Sequence, residues 1–509
     1  MKLRDLVSRL PDKVVLGDPF VEVTGLAYHS QEVKEGYLFA AMRGRRADGK
    51  QFIPEALSRG ARSLLVEEPT EGSGVTQVVV PRVREALACV ASAFFGDPSL
   101  SLTVIGLTGT NGKTTTSYLL ESILSEAGWK IGVVGTVNYR YAGQVRPAAT
   151  TTPESLDLQR LLAGMREAGG THAVLEVSSH ALDMQRVKGC NFDVALFTNL
   201  TRDHLDYHGS MEKYFQAKEL LFTEYLRESR KKKLFSVING DDPRGEDLRR
   251  SALGTILRYG VKSRGQVYPD RFSGDLDGIR AEIATPRGKL EIASPLIGLH
   301  NLYNILAAVG VAEALEIPAA ATARGVEKMA RVPGRLDRVP GGEGIRIFVD
   351  YAHTPDALER VLETLRSARP ARLLVIFGCG GDRDRGKRPA MGKAAALGSD
   401  FAVVTSDNPR TEDPLKILAE IEDGIRETGR PRLAPEDLAA GDGRGGYLVI
   451  PDRREAISQT VGAARAGDVV LIAGKGHEDY QILGTRKIRF DDREEALTAL
   501  KVRKEKRDL

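Results

Sequence analysis

The sequence has few cysteines and no long apolar run, and both scarcities restrict its class. Its 509 residues include three cysteines and one tryptophan. Three widely spaced cysteines do not make a disulfide framework, and none has metal-motif spacing. No apolar run approaches the roughly 20 residues of a membrane-spanning helix, and the charged amino terminus lacks the apolar core of a signal peptide. We therefore expect a reduced protein of the cytoplasm.

The sequence also lacks an excess of charge of either sign. The 73 basic and 69 acidic residues leave a net charge of only +4. This balance favours neither a nucleic-acid surface nor a membrane surface as the main partner. A hydrophobic content of 42% and a charged content of 28% are typical of globular proteins. At this length the chain is expected to form about three domains.

Turn-forming residues divide the chain into three segments. Residues 1–99 mix β-type runs with a helical pattern from Val83 to Phe95 and end in the turn sequence Gly96-Asp97-Pro98-Ser99. In residues 100–333 and 334–509, which meet near Val332-Pro333-Gly334, apolar runs alternate with helical patterns. That alternation predicts α/β domains on mostly parallel sheets. The charged tail, Lys501 to Leu509, is expected to be frayed and solvated.

A glycine-rich loop follows the apolar run Leu102 to Leu107 and precedes a helical pattern. Its residues are Gly109, Thr110, Asn111, Gly112, Lys113, Thr114 and Thr115. Backbone N–H groups at such a helix start hold phosphate, the lysine reaches the β- and γ-phosphates, and the following hydroxyl ligates Mg²⁺. The upstream glycine is Gly106 rather than residue 107, so the spacing differs from the usual phosphate loop. This departure weakens the prediction of a generic GTPase or motor.

The form Thr108-Gly109-Thr110-Asn111-Gly112-Lys113-Thr114 resembles the Mur ligase family, which shares it with folylpolyglutamate and cyanophycin synthetases. Further similar segments are Glu176-Val177-Ser178-Ser179-His180, Thr198 to Asp206, His300-Asn301-Leu302-Tyr303-Asn304 and Asp350-Tyr351-Ala352-His353-Thr354-Pro355. The resemblance implies a UDP-binding domain in residues 1–99. It implies a central P-loop-type ATPase domain in 100–333 and an amino-acid-binding, Rossmann-like domain in 334–509.

Four residues are candidates for catalysis and for metal binding. Glu176 ends an apolar run, where a carboxylate binds Mg²⁺ or is simply solvated. His204 lies in a polar turn, where a histidine is more often structural. By resemblance, His204 holds a second Mg²⁺. The resemblance thus implies Thr114, Glu176, His204 and Lys218 as metal ligands, with Lys113 added to the last three as catalytic residues.

Lys218 lies in a predicted helix from Met211 to Leu226. From the residues alone, it is better explained as a surface lysine paired with Glu219 or Glu224. The segment Tyr214-Phe215-Gln216-Ala217-Lys218 is similar, however, to the family segment whose lysine is carboxylated by CO₂. The resemblance implies an N6-carboxylysine that acts as an anionic metal ligand.

Four further residues are candidates for the nucleotide site. Asn301 and Asn304 lie at a predicted helix start, where they cap the backbone or contact adenine and ribose. By resemblance, Arg335 and Asp350 contact the phosphates and the ribose. The alternative for each is an ordinary cap or surface ion pair.

The segment Asp407-Asn408-Pro409-Arg410 follows the apolar run Phe401 to Thr405, at the ligand edge of an open α/β sheet. From the residues alone, a simple Asn-Pro turn is the better explanation. It resembles the amino-acid motif of the family members that add meso-diaminopimelate, whereas lysine-adding members differ there. Diaminopimelate carries a second carboxylate, which a guanidinium binds bidentately. The residues matched to this amino acid are Arg383, Asp407, Asn408, Pro409, Arg410, Gly474 and Glu478.

The acceptor implied by the resemblance is UDP-N-acetylmuramoyl-L-alanyl-D-glutamate. The residues matched to its uridine diphosphate are Ser30, Arg45, Arg46 and Ala47, although the two arginines also fit solvated loop positions. The residues matched to its muramoyl peptide are Thr150, Thr151, Thr152, Ser178 and Arg186. The sequence departs from the family pattern at His29, where aspartate is common, and at Met184, where some relatives carry glutamine.

Together, the resemblance implies an ATP-dependent ligase of bacterial peptidoglycan synthesis, expected to be a monomer. ATP, two Mg²⁺ ions and CO₂ as a lysine carbamate are the implied cofactors. The implied reaction joins diaminopimelate to the D-glutamyl γ-carboxylate through an acyl phosphate. The alternatives are a lysine-adding ligase, a folate or cyanophycin ligase, and a nucleotide-dependent switch.

Overall fold

The computed structural model describes residues 1–44, 47–329, 331–440 and 445–507. The chain divides into two compact units. The first comprises Met1–Tyr268, Thr285–Arg287 and Leu306–Gly325, and the second comprises Pro269–Ala284, Gly288–Ile305 and Val326–Leu509. Arg45 and Arg46, predicted to bind uridine diphosphate, lie outside the described residues.

The first unit begins with a five-stranded sheet in the order β1-β5-β4-β3-β2. Its strands are β1 (Val14–Leu16), β2 (Gly25–Ala27), β3 (Tyr37–Ala40), β4 (Ala61–Val66) and β5 (Thr76–Val79). The helices of this region are α1 (Leu3–Leu6), α2 (Ile53–Ser58), α3 (Val83–Phe94) and two 3₁₀ turns, Ser30–Glu32 and Gly49–Phe52. Leu87, Val90 and Ala91 of α3 are buried in the same cluster as Leu38 and Leu65 of the sheet. Burial of this apolar stripe explains the helical pattern.

An eight-stranded sheet follows in the same unit, in the order β13-β12-β11-β6-β10-β7-β8-β9. Its strands are β6 (Thr103–Thr108), β7 (Ile131–Val134), β8 (Asn138–Tyr141), β9 (Gln144–Pro147), β10 (His172–Glu176), β11 (Val194–Phe197), β12 (Phe235–Asn239) and β13 (Thr255–Tyr259). All pairs are parallel except β7 with β8 and β8 with β9. The prediction of a mostly parallel sheet is confirmed.

Helices connect these strands, as parallel pairing requires. They are α4 (Pro98–Ser101), α5 (Lys113–Glu126), α6 (Ser155–Glu167), α7 (Ser179–Asp183), α8 (Leu205–His208), α9 (Met211–Leu220), α10 (Leu226–Glu228) and α11 (Pro243–Ser251). The predicted helix from Met211 to Leu226 has a π-helical turn, Leu221–Tyr225, between α9 and α10. Such single π turns are often found at functional sites.

Three strands and two helices come next along the chain. They are β14 (Tyr268–Asp275), β15 (Gly278–Thr285), β16 (Gly288–Ser294), α12 (Leu299–Ala314) and α13 (Ala319–Lys328). The three strands form one sheet in sequence order.

The second unit contains a six-stranded sheet in the order β17-β18-β22-β19-β20-β21. Its strands are β17 (Asp337–Val339), β18 (Arg346–Asp350), β19 (Leu373–Phe377), β20 (Phe401–Val404), β21 (Gly446–Val449) and β22 (Val469–Ala473), and only β17 pairs antiparallel. A hairpin of β23 (Tyr480–Leu483) and β24 (Arg486–Arg489) follows. The helices are α14 (Pro355–Ser367), α15 (Lys387–Gly398), α16 (Pro414–Arg426), α17 (Asp437–Ala440), α18 (Arg453–Ala463) and α19 (Asp492–Arg507). Buried clusters on both faces of the sheet confirm the doubly wound prediction.

The carboxyl-terminal tail is helical, so the expectation of fraying is wrong, whereas Lys501, Val502, Lys504 and Glu505 are exposed, as expected of a solvated segment. Helix α19 continues through Arg507, and Ala499 and Leu500 are buried in a core cluster. The Arg503 guanidinium donates hydrogen bonds to the carbonyls of Val461 and Gly462, 3.0 and 2.8 Å away. These carbonyls end α18, and a cation there is favoured by the helix dipole.

No helix among the described ranges is both long and apolar enough to cross a bilayer.

Candidate active site

The phosphate loop connects β6 to α5. Gly109 and Gly112 have φ angles of 143° and 90°, in a region that other residues rarely adopt. A Cβ on Gly109 would lie 1.9 Å from Thr198 Oγ1. Lys113 Nζ donates to the carbonyl oxygens of Gly109 and Thr110, at 2.7 and 2.9 Å. The Lys113 side chain thus bends back over its own loop, and its ammonium group binds the backbone of the loop that is predicted to bind phosphate.

The other loop residues contact the segment that follows β11. The Thr110 hydroxyl lies 3.1 Å from the Tyr214 hydroxyl. The Asn111 backbone N–H donates to Asn199 Oδ1 at 2.9 Å. Thr115 is buried in the first turn of α5. These contacts bring the loop to the amino-terminal end of the helix that contains Lys218.

Glu176 lies at the carboxyl end of β10, beside the loop, and is 1% exposed. One carboxylate oxygen accepts hydrogen bonds from the hydroxyls of Thr114 at 3.0 Å and Thr136 at 2.8 Å. The other accepts from the Thr136 backbone N–H at 3.2 Å. The carboxylate and the loop hydroxyl therefore form a compact oxygen pair, as the metal prediction requires.

Lys218 is buried, with 2% of its surface exposed, so the surface-lysine explanation is wrong. Its Nζ donates to the Gly109 carbonyl at 2.9 Å and lies 4.4 Å from the centre of the Tyr214 ring. Burial, followed by the nearby charge of Lys113, lowers the pKa of Lys218 well below its ordinary value. Since only a neutral amine attacks CO₂, the site favours the chemistry implied for this lysine.

His204 precedes α8 with a φ of 54°, in the left-handed region. Its Nε2 lies 3.5 Å from Asp203 Oδ2, and its ring meets His180 edge-to-face at 5.0 Å. Partial desolvation lowers the pKa of His204 although its side chain is 45% exposed; the charge of Asp203 opposes the shift, and those of Lys113 and Lys218 add to it. The neutral imidazole is thereby favoured, and this is the form that binds metals.

The residues matched to the muramoyl peptide gather beside Glu176. Thr152 Oγ1 donates to the Glu176 carbonyl at 2.8 Å and accepts from the Ser178 N–H at 3.1 Å. The Thr151 hydroxyl lies 3.1 Å from that of Thr136, and Thr150 Oγ1 donates to the Thr152 carbonyl at 3.0 Å. The structure brings this part of the predicted site together with the phosphate loop.

Arg186 joins the same group through its guanidinium. It donates to the Thr152 carbonyl at 3.0 Å and pairs with Glu154, also at 3.0 Å. Among residues 1–99, the buried Ser30 hydroxyl at the start of a 3₁₀ turn donates to Glu55 Oε2 of α2 at 2.7 Å, and the Ala47 carbonyl accepts the Gly44 N–H at 2.9 Å.

The nucleotide candidates of the second unit form two local groups. Asn301 and Asn304 are buried, and the Asn304 amide donates to Asn301 Oδ1 at 3.0 Å. The buried Asp350 accepts the N–H groups of Leu336 and Ala352 at 2.6 and 2.7 Å. Burial raises the pKa of Asp350, and the Arg335 charge opposes the rise.

Arg335 lies over the Tyr351 ring, with its guanidinium carbon 4.6 Å from the ring centre. The Tyr351 ring also lies 5.1 Å from that of His477. Arg335, Tyr351 and His477 thus form one cluster next to the carboxyl end of β18.

Four polar residues converge at the carboxyl ends of β20 and β22. Lys475 is fully buried, and its Nζ lies 3.5 Å from Asp407 Oδ1, 3.4 Å from Asn408 Oδ1 and 3.5 Å from Glu478 Oε2. The Asn408 amide donates to Glu478 at 2.9 Å. Burial raises the pKa of Glu478, and the charge of Asp407 raises it further. The pocket therefore pairs two carboxylates with one internal cation.

Arg410 lies at the same sheet edge with a φ of 52°. Its guanidinium donates to the Gly381 carbonyl at 2.8 Å, and its backbone N–H donates to Ile482 at 3.1 Å. The Gly381 N–H donates to the Asn408 carbonyl at 2.9 Å, which joins the two predicted amino-acid segments. Arg383 is exposed on the loop of Gly381.

Pro409 and Gly474 complete the predicted amino-acid set. A Cβ on Gly381 would lie 1.9 Å from the Pro409 carbonyl oxygen, so the two loops touch closely. Gly474 has a φ of 115°, and a Cβ there would lie 3.7 Å from Asp407 Oδ2. All seven residues thus gather at one edge of the sheet.

Sequence reasoning missed Thr136 and Lys475. Thr136 follows β7 and carries no motif of its own, so only the fold shows that it holds Glu176. Lys475 stands next to Gly474 in a matched segment, and its burial between two acids was not foreseeable from a lysine in a glycine-rich turn. Among the described residues, no group of three or more His, Cys, Asp and Glu side chains is placed to hold a metal ion.

Comparison with known proteins covers the whole chain. Three family models match: the Mur ligase family catalytic domain at residues 22–95, the Mur ligase middle domain at 107–312 and the Mur ligase glutamate ligase domain at 334–476. Among curated relatives, the UDP-N-acetylmuramoyl-L-alanyl-D-glutamate--2,6-diaminopimelate ligase of Geobacter metallireducens is 47% identical over 98% of both chains. The ligase of the same name from Geobacillus thermodenitrificans is 44% identical over 99% of this chain and 100% of its own.

Solved structures agree with these matches. A structure of a UDP-N-acetylmuramoyl-L-alanyl-D-glutamate--2,6-diaminopimelate ligase superposes with a TM-score of 0.71 at 34% identity and covers 99% of each chain. The MurF ligase of Thermotoga maritima in complex with ADP, at 22% identity and a TM-score of 0.62, shares the fold and covers 97% of this chain and 100% of its own. The phosphate-loop geometry, the two parallel sheets and full-length identity above 40% lead to one conclusion: the chain belongs to the Mur ligase family.

Proposed function

We propose that the protein is the ATP-dependent ligase that joins meso-2,6-diaminopimelate to UDP-N-acetylmuramoyl-L-alanyl-D-glutamate in peptidoglycan synthesis. The observation that carries the proposal is the amino-acid pocket of Asp407, Asn408, Arg410, Lys475 and Glu478. Relatives that are 41–47% identical over nearly the whole chain bear the name of this ligase. The reaction belongs in the bacterial cytoplasm, with the enzyme acting as a monomer.

The pocket chemistry supports diaminopimelate as the amino acid. The distal end of diaminopimelate carries an ammonium and a carboxylate, whereas the distal end of lysine carries only an ammonium. Glu478 and Asp407 offer carboxylates to the ammonium, and Arg410, with Arg383 beside it, offers a guanidinium to the carboxylate. With lysine bound, the guanidinium of Arg410 has no anionic partner, so discrimination follows from leaving a charge unpaired.

The proposed nucleotide is ATP, held by the loop from Gly109 to Thr115. Lys113 and the N–H groups at the start of α5 bind its phosphates. Further contacts to the nucleotide are proposed for Asn301, Asn304, Arg335 and Asp350. The acceptor is assigned to Ser30, Ala47, Arg45 and Arg46, and to the group beside Glu176 that comprises Thr150, Thr151, Thr152, Ser178 and Arg186.

The residues around Glu176 fit Mg²⁺. Thr114 Oγ1 and Glu176 Oε2 lie 3.0 Å apart, close to the roughly 2.9 Å between adjacent ligands of an octahedron with bonds of about 2.0–2.1 Å. Both donors are hard oxygens, which Mg²⁺ prefers. A bound Mg²⁺ would neutralise charge that develops on the transferred phosphoryl group.

A second Mg²⁺ is assigned to His204 and to Lys218 in its carbamate form. The ammonium first loses a proton, and carbamylation of the neutral amine then forms a bond between Nζ and the CO₂ carbon and releases a second proton, so the side chain changes from cation to anion. The lowered pKa of Lys218 supports this step because it increases the fraction of neutral amine.

The reaction requires two steps because a carboxylate is a poor electrophile. The γ-carboxylate of the D-glutamyl residue attacks the γ-phosphorus of ATP and forms an acyl phosphate and ADP. The amine of diaminopimelate then attacks the acyl carbon, and the tetrahedral intermediate expels phosphate to leave the amide. Lys113 offsets the charge of the transferred group, the largest electrostatic demand in such chemistry.

The test is phosphate release with ATP, Mg²⁺ and the UDP-linked dipeptide, with meso-diaminopimelate or L-lysine as the amino acid. Wild type is expected to use diaminopimelate. Arg410→Ala is expected to lose about 30-fold to 1,000-fold in kcat/KM, because an unpaired carboxylate costs about 2–4 kcal/mol. Arg426→Ala is the matched control, since Arg426 pairs with Glu422 and Asp423 of its own helix, α16.

Other outcomes reject particular parts of the proposal. A preference for lysine would retain the reaction and overturn the assignment of Arg410. Phosphate release that needs neither acceptor nor amino acid would indicate a nucleotide-dependent switch. Inactivity with both amino acids would direct attention to folate or cyanophycin ligases.

A further inference from the structure

The backbone is left-handed at one of the two proposed carboxylate-binding arginines and directly before the other. Asp382 and Arg410 have φ angles of 53° and 52°, although neither is glycine. Asp382 directly precedes Arg383, so each guanidinium is attached at or next to a left-handed residue. Such conformations cost about 1 kcal/mol or more each and persist where surrounding contacts determine them.

The contacts that hold these two segments converge on Arg388, a fully buried residue of α15. Its guanidinium donates to Glu412 Oε1 at 2.8 Å and Oε2 at 3.0 Å. It also donates to Glu420 at 2.7 Å and to the Gly380 carbonyl at 3.3 Å. Arg388 therefore binds the loop of Arg383 directly and the segment after Arg410 through Glu412.

Glu412 carries the connection back to Asp382. Its Oε1 accepts the Asp382 backbone N–H at 2.6 Å. The Asp382 carboxylate in turn accepts the Thr411 hydroxyl at 2.8 Å and the Thr411 N–H at 3.2 Å. Arg410, Thr411 and Glu412 thus each bind the loop of Gly381 and Asp382. These contacts hold both left-handed residues in place.

We propose that Arg388, through Glu412 and Asp382, is the positioning residue that fixes the spacing between the guanidinium groups of Arg383 and Arg410. The inference rests on the proposed function, because it takes the second carboxylate of diaminopimelate as the group to be held. Arg388 does not touch the amino acid; it determines where the two arginines stand before the substrate binds. A planar guanidinium is needed, since a lysine cannot span Glu412, Glu420 and a carbonyl at once.

Arg388→Lys is the first test, because it keeps the buried charge and removes the fork. The KM for diaminopimelate is expected to rise about tenfold to a hundredfold, as expected for small misplacements of binding groups. The KM for ATP and the kcat at saturating diaminopimelate are expected to stay within about threefold of wild type, since the chemical step is not touched. The preference for diaminopimelate over L-lysine should fall by the same factor as the KM rises.

Arg372→Lys is the matched control within the same unit. Arg372 forks onto the buried Asp468 at 2.6 and 3.1 Å and donates to two further carbonyls. It precedes β19, and Asp468 precedes β22, so this pair lies at the opposite edge of the sheet from Arg410. Arg372→Lys should lower the melting temperature as Arg388→Lys does, while leaving the KM for diaminopimelate unchanged.

A milder pair of variants serves if Arg388→Lys does not fold. Thr411→Val removes the exposed hydrogen bond to Asp382 without disturbing the buried arginine, and Thr411→Ser retains it. Thr411→Val should raise the KM for diaminopimelate about threefold, the effect of losing one hydrogen bond to a charged group at low cost to stability. Thr411→Ser should restore the wild-type value.

The possible results separate the two proposals. Folded Arg388→Lys, or folded Thr411→Val, with wild-type KM for diaminopimelate and unchanged preference over lysine would overturn the positioning role. Equal KM changes in Arg388→Lys and Arg372→Lys would also overturn it, since they would reflect general loosening. Failure of the wild-type enzyme itself to use diaminopimelate would instead reject the proposed function.

Discussion

The burial of Lys218 makes a sharp prediction about CO₂. Carbamylation requires a neutral amine, and an ordinary lysine with a pKa of about 10.4 is only about 0.4% neutral at pH 8. Burial and Lys113 lower the pKa of Lys218 well below this value, and each unit of lowering increases the neutral fraction about tenfold. We therefore expect Lys218 to be carbamylated in bicarbonate-containing buffer near pH 8, ahead of the exposed lysines.

The perturbation is Lys218→Met, which fills the buried space without a nitrogen. We expect kcat to fall about 100-fold to 1,000-fold, the loss typical of removing one preorganised electrostatic group at a reacting phosphoryl or acyl centre. Lys188→Met is the control, because Lys188 is a largely buried lysine paired with Glu85 and Glu228 away from the phosphate loop. Its loss should affect stability more than kcat.

The assay combines phosphate release with detection of the modification. Wild type is freed of bicarbonate at low pH, returned to CO₂-free buffer and assayed before and after addition of carbon-13-labelled bicarbonate. A carbamate signal should appear together with recovered activity in wild type and be missing in Lys218→Met. Full activity without bicarbonate, or a free amine at Lys218 in active enzyme, would refute the reasoning.

The same lowered pKa predicts how the CO₂-free protein responds to pH. Because the folded pKa of Lys218 lies below the unfolded value of about 10.4, the unfolded state binds more protons between those two values. The free energy of unfolding should therefore rise with pH across that window. Lys218→Met should lack this rise, which equilibrium denaturation at several pH values would measure.

Three further predictions concern the acidic residues and Lys475. Glu176→Gln should cut kcat about 100-fold while leaving the fold intact, since its amide oxygen can still accept the Thr136 N–H and the metal-binding charge is removed; steady-state kinetics over a Mg²⁺ titration measures this. Lys475→Met should shift preference toward L-lysine, because the pocket loses a cation beside Asp407 and Glu478; competition between the two amino acids tests it. Because the pKa of Glu478 is raised, its carboxylate is protonated at a higher pH than that of an ordinary glutamate. The KM for diaminopimelate should therefore rise on acidification while the pH is still above the ordinary pKa of glutamate. Glu478→Gln should abolish that dependence.

The apolar runs of the sequence predict the central strands of both parallel sheets to within one or two residues, whereas β7, β8, β9, β13, β17 and β21 were not predicted. The run Leu102 to Leu107 corresponds to the strand Thr103–Thr108, and the run Phe401 to Thr405 corresponds to Phe401–Val404. These strands are buried on both faces, so continuous apolar sequence marks them directly. The tail was mispredicted because its contacts, such as Arg503 with the end of α18, join residues about 40 positions apart.

The phosphate loop could be predicted because its geometry depends on neighbouring residues and requires glycine at positions 109 and 112. The environment of Lys218 could not be predicted, because its acceptor is the Gly109 carbonyl, 109 positions away. Lys475 was missed for the same physical reason. Its role depends on Asp407 and Asn408, which reach it only through the adjacency of β20, β19 and β22 in the sheet.

The Gly109 carbonyl connects the phosphate loop to the proposed carbamate chemistry. It accepts hydrogen bonds from Lys113 at 2.7 Å and from Lys218 at 2.9 Å, so two ammonium groups share one acceptor. Their repulsion adds to burial in favouring neutral Lys218, and neutral Lys218 is the form that adds CO₂. The proposed carbamate would place a negative charge near Lys113, so attraction would replace the repulsion between the two side chains. We therefore expect Lys113 to favour the modification and the modified Lys218 to stabilise the Lys113 cation that binds phosphate.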